Sequence, residues 1–358
     1  MTTMTQNRFE LFVSDVKKRS FGTRTDAAIS TVVLILLAYV IWIVVDWALI
    51  RAVWSKENVE ACRLEDAGAC WSIIDARHRI ILFGLYPFEQ HWRSTLACLS
   101  IIATVIISCI PFMWTTKRLA ASWIIGFAAY YLLMEGSLIG LQQVTTDQWG
   151  GLSLTLFMFA SVVLLGMPMG LALALMRRSE MPVLRIFASI LIDTVRSLPL
   201  LVTLFTAAVV FPIILPDWLQ GDKIWRVIVA FALFFACYQA EVLRGGFQAI
   251  PKGQFEAGKA LGISYTNILF HIILPQVFRY ALPSTINMVV ITFKETAIVI
   301  IIGFFEILAS TNAAYGTGEW TSYYKEALLF AAGIYWVFLF SLGQYGEYLK
   351  TRMTVASR

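Results

Sequence analysis

Long apolar runs separated by short polar segments dominate this chain. The runs cover about Ala28 to Ile50, Ser94 to Trp114, Leu119 to Leu141, Leu152 to Met176, Ile186 to Phe211, Ile224 to Leu243, Leu282 to Phe305 and Leu328 to Leu349. Each is close to the ~20 residues with which a helix, rising 1.5 Å per residue, crosses a hydrocarbon core of about 30 Å. The pattern predicts an all-α polytopic membrane protein with about eight transmembrane helices.

Composition supports this fold class and narrows the function. Of the 358 residues, 59% are hydrophobic and only 14% are charged, which excludes a soluble globular protein of ordinary makeup. The net charge of +5 is too small and too scattered to indicate nucleic acid as a partner. The composition instead predicts that the protein lies in the lipid bilayer.

Basic residues set the predicted orientation. Eight spans place both termini on one side, and a cytosolic N terminus puts 17 of the 28 lysines and arginines in inner segments. This asymmetry follows the positive-inside rule. We therefore expect both termini to be cytoplasmic, with residues 1–27 as a cytosolic segment and residues 51–93 as a periplasmic loop. The first residues show no removable signal peptide.

The five cysteines divide into two groups. Cys98, Cys109 and Cys237 lie in apolar runs, where cysteine behaves as a small hydrophobic residue. Cys62 and Cys70 are eight residues apart in the polar loop predicted to lie outside the membrane. That compartment permits a disulfide between them, with two free thiols as the alternative.

A polar stretch of the chain, residues 244–281, separates two spans and is predicted to be cytosolic. Pro251 suits the first position of a helix and Gly262 the residue just past its end. Ser264 then caps a second helix, which Pro275 interrupts. Apolar and charged residues alternate in the first helix, as in helices that enter a partner's groove. The predicted docking residues are Phe255, Glu256, Ala257, Gly258, Leu261 and Gly262.

This stretch resembles the coupling loop of ABC importer permeases. The family pattern is Glu-Ala-Ala, three residues, Gly, nine residues, Ile, one residue, Leu-Pro. Here it reads Glu256-Ala257-Gly258, Gly262, Ile272 and Leu274-Pro275, with one departure, Gly258 for the usual second alanine. The resemblance is closest to the general L-amino acid permease subunits of Gram-negative bacteria.

The resemblance implies a fold and a set of partners. It implies a type I ABC importer permease core at residues 150–350, with five spans, preceded by a three-span extension at residues 28–149. It further implies a bacterial inner membrane, an ABC ATPase dimer, a second permease subunit, a periplasmic amino-acid-binding protein and an amino acid substrate.

No enzymatic motif accompanies the spans. The sequence contains no G-x-x-x-x-G-K-[ST] loop, and its three histidines, His78, His91 and His271, do not cluster with carboxylates or cysteines. We expect no metal or cofactor on this chain and no catalytic residue. ATP and Mg²⁺ are expected on the separate ATPase.

Charged residues within spans are costly and usually face a partner or a water-filled path. Asp193 and Arg196, three residues apart, are expected to neutralise each other just before Pro199, which breaks the helix. The stretch resembles one found in polar amino acid permeases. It forms either a structural kink or a part of the translocation path. Lys294-Glu295-Thr296 resembles the family's Lys-Asp-Thr. Its charges either contact substrate or pair with Glu241, Arg196 or another subunit.

These observations predict the transmembrane permease subunit of an ATP-driven importer. It would carry polar or general L-amino acids across the inner membrane by alternating access. An ion-gradient-driven secondary transporter of amino acids is the alternative, favoured by mid-membrane Lys294 and Glu295. An intramembrane enzyme and a structural scaffold are further rivals. The sequence lacks the clustered catalytic groups that an enzyme would need. A scaffold would keep its function after the charges of Lys294 and Glu295 were neutralised.

Overall fold

The computed structural model describes residues 20–355 and is built almost entirely of helices. The principal ones are α1 Arg24–Val45, α2 Ser72–Phe83, α3 His91–Ser108, α4 Thr116–Glu135, α5 Gly151–Arg177, α6 Pro182–Ser197, α7 Leu200–Phe205, α8 Lys223–Gln248, α9 Gly253–Ala260, α10 Leu274–Glu295, α11 Ile307–Tyr315 and α12 Tyr324–Val355. The short strand Phe305–Glu306 pairs in parallel with Gly150 and Gly151.

The predicted all-α membrane class is confirmed, but the number of spans is not. Within the described residues, six helices are long and apolar enough to cross a membrane, and α6 with the helix after it forms a bent seventh candidate. The third predicted span is present as α4. It is not among the six, because charged residues lie near both ends of a helix only 20 residues long.

The chain divides into two compact units, and the first ends at Ala76. Its helix α1 buries none of its side chains within the unit. A π-helical turn, Asp46–Ile50, follows α1, and the indole of Trp71 donates a hydrogen bond back to the carbonyl of Ala48 at 2.8 Å. This contact fixes the returning loop against the end of the helix.

Cys62 and Cys70 are joined by a disulfide in this loop. The bond closes a short loop next to the turn that Trp71 fixes. Mass spectrometry of alkylated, unreduced protein distinguishes this pairing from two free thiols.

The second unit begins at Arg77 and is centred on α5 and α8. The two helices approach closely because α5 presents glycines to α8. A Cβ at Gly166 would lie 2.5 Å from Cδ1 of Phe235, and one at Gly170 would lie 2.9 Å from Cβ of Gln239. Small residues permit such contact between membrane helices, where no hydrophobic effect drives association. The helix α10 packs on α8, and α12 packs on α10.

A fully buried arginine fastens α3 to the end of α4. The guanidinium of Arg93 donates to the carbonyls of Leu133 at 2.7 Å, Gln142 at 2.9 Å and Met134 at 3.2 Å. These groups lie where α4 ends and its last carbonyls have no partner within the helix. Gly136 follows with φ +85°, and a Cβ there would collide with the guanidinium. Sequence reasoning assigned Arg93 only to a loop.

Replacing Arg93 with Met is expected to lower the melting temperature of the purified protein. The change leaves three carbonyls without their donor, and each buried unpaired group costs about 1–3 kcal/mol. Thermal unfolding in detergent measures the effect. Arg79→Met removes an arginine that lies over the ring of Phe88 and serves as the control. Equal melting temperatures for Arg93→Met and wild type would contradict this role.

Candidate functional site

The predicted docking residues lie on and just after helix α9. The helix begins at Gly253, two residues later than Pro251 predicted. It ends in a Schellman motif, in which the amide of Ile263 donates to Gly258 and that of Gly262 to Lys259, at 3.1 and 2.9 Å. Gly262 has φ +71°, as this motif requires. The motif turns the chain sharply and leaves α9 at the surface.

The two sides of α9 differ in exposure. Glu256, Ala257 and Lys259 are exposed, and Leu261 at its end is 78% exposed. On the inner side Phe255 stacks on Tyr265, with ring centroids 6.3 Å apart. The outer side of α9 thus carries an exposed leucine beside charges of both signs.

The second helix of this stretch does not stop where the sequence predicted. Ser264 occupies the cap position but makes no side-chain hydrogen bond. The helix continues through a π-helical segment, Ile268–Ile273, directly into α10. Pro275 lies at the second residue of α10, where the missing amide hydrogen is tolerated. The predicted interruption is therefore wrong, because the π-helical segment accommodates the proline.

The glycine that departs from the family pattern has a steric reason. Gly258 is buried, and a Cβ there would lie 2.8 Å from both Cδ1 and Cγ1 of Ile268. Ile268 is itself fully buried. The side chain of Ile268 thus fills the space that an alanine at position 258 would need.

Gly258→Ala is therefore expected to destabilise the protein slightly. Overpacking costs about 1–3 kcal/mol, which exceeds the ~1 kcal/mol that alanine gains over glycine in a helix. In an Ile268→Ala background the same change is expected to become stabilising. Melting temperatures of the two single variants and the double variant measure this reversal of sign. The same effect in both backgrounds would show that the contact is unimportant.

A cluster of charged side chains joins α5, α6 and α8. We call it the ion cluster; it comprises Arg177, Asp193, Arg196, Glu241 and Arg244. The carboxylate of Glu241 accepts from Arg177 at 2.6 Å and from Arg244 at 2.8 Å, and lies 3.5 Å from Arg196. Arg177 also contacts Asp193 at 3.3 Å. Glu241 is the centre of the cluster, with a side chain only 14% exposed.

The predicted pairing of Asp193 with Arg196 is wrong. Asp193 pairs with Arg177, and Arg196 pairs with Glu241 and lies over the ring of Tyr238. A spacing of three residues permits an ion pair on a helix but does not require one. Arg177 on α5 and Glu241 on α8 form the observed pairs instead. Glu241 also pairs with Arg244, three residues later on α8.

The chain bends sharply just after the ion cluster. The helix α6 ends at Ser197, α7 begins at Leu200, and Pro199 lies between them. The axes of Pro182–Ser197 and Leu200–Ile214 differ by 106°. The span predicted from Ile186 to Phe211 is thus broken at Pro199, where the sequence predicted that the helix breaks.

Lys294, Glu295 and Thr296 lie where α10 changes into a 3₁₀ helix, Thr296–Ile302. Lys294 is exposed and Glu295 half-buried, whereas Thr296 is fully buried and donates to the carbonyl of Phe293 at 2.7 Å. Among residues 20–355, neither Lys294 nor Glu295 forms an ion pair, and one carboxylate oxygen of Glu295 is buried without a hydrogen-bond partner. Pairing with Glu241 or Arg196 is thus not observed.

Sequence reasoning missed two further charged residues. Arg177 was placed in the loop after α5, and only the approach of α5 to α6 and α8 brings it to Glu241. Glu306 is fully buried at the start of α11, where it accepts from the amides of Leu308 and Ala309 and from the hydroxyl of Tyr335. It lies between two candidate spans, and burial raises the pKa of its carboxyl to about 7. No sequence motif marks either residue.

A family model described as "Binding-protein-dependent transport system inner membrane component" matches residues 166–355, more than half of the chain. The chain belongs to this family. The matched region contains the ion cluster, α9 and Lys294 to Thr296. The resemblance to ABC importer permeases is confirmed, and it supports the ATP-driven reading over an ion-gradient transporter.

Individual relatives extend the match over nearly the whole chain. The "Inner membrane amino-acid ABC transporter permease protein YhdY" of Escherichia coli K12 is 37% identical, covering 94% of this chain and 92% of the relative. The "Glutamate/glutamine/aspartate/asparagine transport system permease protein BztC" of Rhodobacter capsulatus is 30% identical, covering 94% and 93%. A solved structure described as an amino acid ABC transporter with histidines matches with TM-score 0.51 and 29% identity, covering 56% of this chain and 92% of that one.

Family membership fixes the class of the protein. This binding-protein-dependent permease is a multi-pass inner-membrane transport subunit, and ATPase activity is carried by a separate subunit. It works in a complex that includes the ATPase. Its charged and exposed residues are therefore to be interpreted in terms of coupling and translocation.

Proposed function

We propose that this permease translocates amino acids, as part of an ATP-driven importer that works by alternating access. Its near full-length relatives are named as amino-acid permeases. The observation that carries the coupling part of the proposal is helix α9. It is an exposed helix of mixed charge, with the motif spacing of a coupling loop, in a chain of a family whose ATPase is separate.

The proposed orientation places both termini and α9 in the cytoplasm. Positive charge on the inner segments supports it. The ATPase dimer, with ATP and Mg²⁺, then binds at α9, and a periplasmic amino-acid-binding protein delivers substrate at the opposite face. A second permease subunit completes the path. The extension at residues 28–149 and the core at residues 150–350 remain our proposed division of the chain.

Docking at α9 would use its exposed residues. Leu261 enters an apolar pocket of the ATPase, while Glu256 and Lys259 pair with charges at the rim. Phe255 and Gly258 lie on the inner side and hold α9 against the following helix through Tyr265 and Ile268. Force applied to the outer side is therefore transmitted to α10 through packed side chains.

The ion cluster is proposed as a gate element. Helix α8 carries Glu241 and leads within about twelve residues to α9. A shift of α9 therefore moves Glu241 relative to Arg177 on α5 and Arg196 on α6. Because ion pairs between packed helices have discrete arrangements, the cluster would switch between pairings as the path opens and closes. The bend at Pro199 places α7 at an angle that such a movement could change.

Glu295 is proposed to face the translocation path. A half-buried carboxylate with an oxygen that lacks a partner within the described residues is costly in a membrane helix. The ammonium group of an amino acid would supply the missing partner.

Glu295→Gln is accordingly expected to reduce uptake more than tenfold, since a hydrogen bond to a charged group is worth about 1.5–3 kcal/mol. ATP hydrolysis stimulated by the loaded binding protein should persist, because α9 is unchanged. Lys294→Gln, at the neighbouring exposed position, is the control. Normal uptake by Glu295→Gln would contradict a pathway contact.

The transport class is tested in proteoliposomes that contain the whole complex. Uptake of radiolabelled amino acid should require internal ATP, Mg²⁺ and the binding protein, and should survive an uncoupler. Uptake that collapses with the uncoupler at constant ATP would instead support the ion-gradient transporter.

A further inference from the structure

An apolar crevice opens between α4, α5 and α8. It has a volume of about 430 Å³. Its walls come from all three helices, and its lining includes Phe127, Ala128, Tyr131, Phe157, Leu164 and Trp225. The crevice is separate from the ion cluster, from α9 and from Glu295, and the transport mechanism above does not use it.

The crevice runs along the helices from one end of the bundle. Trp225 lies two residues after α8 begins, and Tyr131 lies four residues before α4 ends. From Phe157 to Leu165 the lining of α5 extends over about 12 Å, at 1.5 Å per residue. The crevice therefore begins near the membrane interface, where tryptophan and tyrosine are common, and extends into the hydrocarbon region.

The chemistry of the walls selects an apolar occupant. No polar atom faces the crevice. Ser161 contributes to the lining, but its hydroxyl oxygen is buried and has no hydrogen-bond partner within the described residues. Water in this space would forgo its hydrogen bonds, so water and polar solutes are excluded. Because α5 and α8 are candidate spans of an inner-membrane protein, the medium at the open side is hydrocarbon.

The volume of the crevice distinguishes a lipid chain from a protein segment. About 430 Å³ is less than half the space that an α-helix about 10–12 Å across fills over the ~12 Å length of the lining. Rings that bound the crevice are in contact with each other, with centroids 6.3 Å apart for Tyr131 and Trp225 and 5.6 Å for Phe127 and Phe157. An α-helix with side chains is about 10–12 Å across, so a helix of a second subunit would have to force these rings apart. A single hydrocarbon chain, about 4 Å wide at van der Waals contact, lies along the groove without doing so.

We propose that this crevice binds one acyl chain of a membrane phospholipid. The acyl chain fills the gap between α4 and the helices α5 and α8, and it contacts the aromatic walls. The inference rests on the membrane location of the helices. It is independent of the substrate and of the coupling site.

Photolabelling tests the site in the intact complex. The complex is reconstituted with phosphatidylethanolamine that carries a diazirine midway along one acyl chain, and labelled peptides are mapped by mass spectrometry. We expect labels on α4 and α5 at the crevice. Ala128→Trp fills the crevice from α4, and Leu164→Trp fills it from α5. Each should reduce labelling there about tenfold, the factor expected for excluding two methylene groups.

The control is Ala121→Trp, the same substitution two turns earlier on α4 and outside the lining. It should leave labelling unchanged, and gel filtration must show all variants to be folded. Equal labelling in wild type and both filled variants would overturn the proposal, since only bulk lipid would then be detected. A disulfide between Ala128→Cys and a cysteine of the second permease chain would also overturn it, by showing a protein occupant.

Discussion

Glu241→Gln is expected to loosen the contacts by which the ion cluster joins α5, α6 and α8, and to lower the melting temperature of the permease strongly. The substitution removes the charge that holds Arg177, Arg196 and Arg244 together, so three positive groups remain close with one exposed carboxylate, Asp193, near them. Breaking a buried pair costs about 3–5 kcal/mol and an exposed one at most about 1 kcal/mol. Because the cluster is partly buried, we expect about 2–3 kcal/mol.

The measurement is thermal unfolding in detergent, followed by an uptake assay at a temperature where the variant is folded. Asp193→Asn is the matched control, because among residues 20–355 Asp193 forms an ion pair with Arg177 alone and its side chain is 59% exposed. It should lose less than about 1 kcal/mol. Replacing Arg177 and Glu241 together by Met should recover only the part of the loss that comes from leaving Arg177 without Glu241, since Arg196 and Arg244 still lose their carboxylate partner. Equal effects of Glu241→Gln and Asp193→Asn would show that Glu241 is not the centre.

Glu256→Arg is expected to weaken binding of the ATPase and to reduce uptake while leaving the fold intact. Glu256 is exposed on α9 beside Leu261, so its replacement disturbs no internal packing. A charge reversed at the rim of a docking surface meets a like charge on the partner, and such a like-charge contact costs about 2 kcal/mol or more. Such a loss weakens ATPase binding by about 30-fold.

Copurification of the ATPase and ATP-dependent uptake measure this effect together. Both should fall by a similar factor, and the melting temperature of the isolated permease should not change. Glu60→Arg makes the same reversal at an exposed position of the loop proposed to face the periplasm. It should leave ATPase binding unchanged. If Glu256→Arg retained full binding and uptake, the partner would dock elsewhere.

The sequence predicted the elements of this fold better than their contacts. Hydropathy located α5, α8 and α10, because burial in lipid demands long apolar helices with every backbone group paired. Turn chemistry placed the end of α9 at Gly262. It missed the π-helical segment Ile268–Ile273, since no turn or capping residue marks the extra residue that lets a helix continue through Pro275.

The ion cluster shows why the rest could not be predicted. The spacing of Asp193 and Arg196 allowed a local pair, but the partner of each is set by which helix ends meet in space. Arg177 joins the cluster only because Gly166 and Gly170 bring α5 against α8. In the same way, the steric reason for Gly258 required the position of Ile268. The number of spans also depends on whether α6 and the helical segment that begins with α7 form one span. The presence of Pro199 alone does not specify the 106° bend between them.

The most direct test of the central claim is affinity purification of this permease in mild detergent, followed by identification of its partners and an ATPase assay. We predict that a P-loop ATPase and a second permease chain copurify, and that hydrolysis is stimulated by an amino-acid-loaded binding protein. The permease purifying alone, and still moving amino acids in liposomes without ATP, would contradict the account.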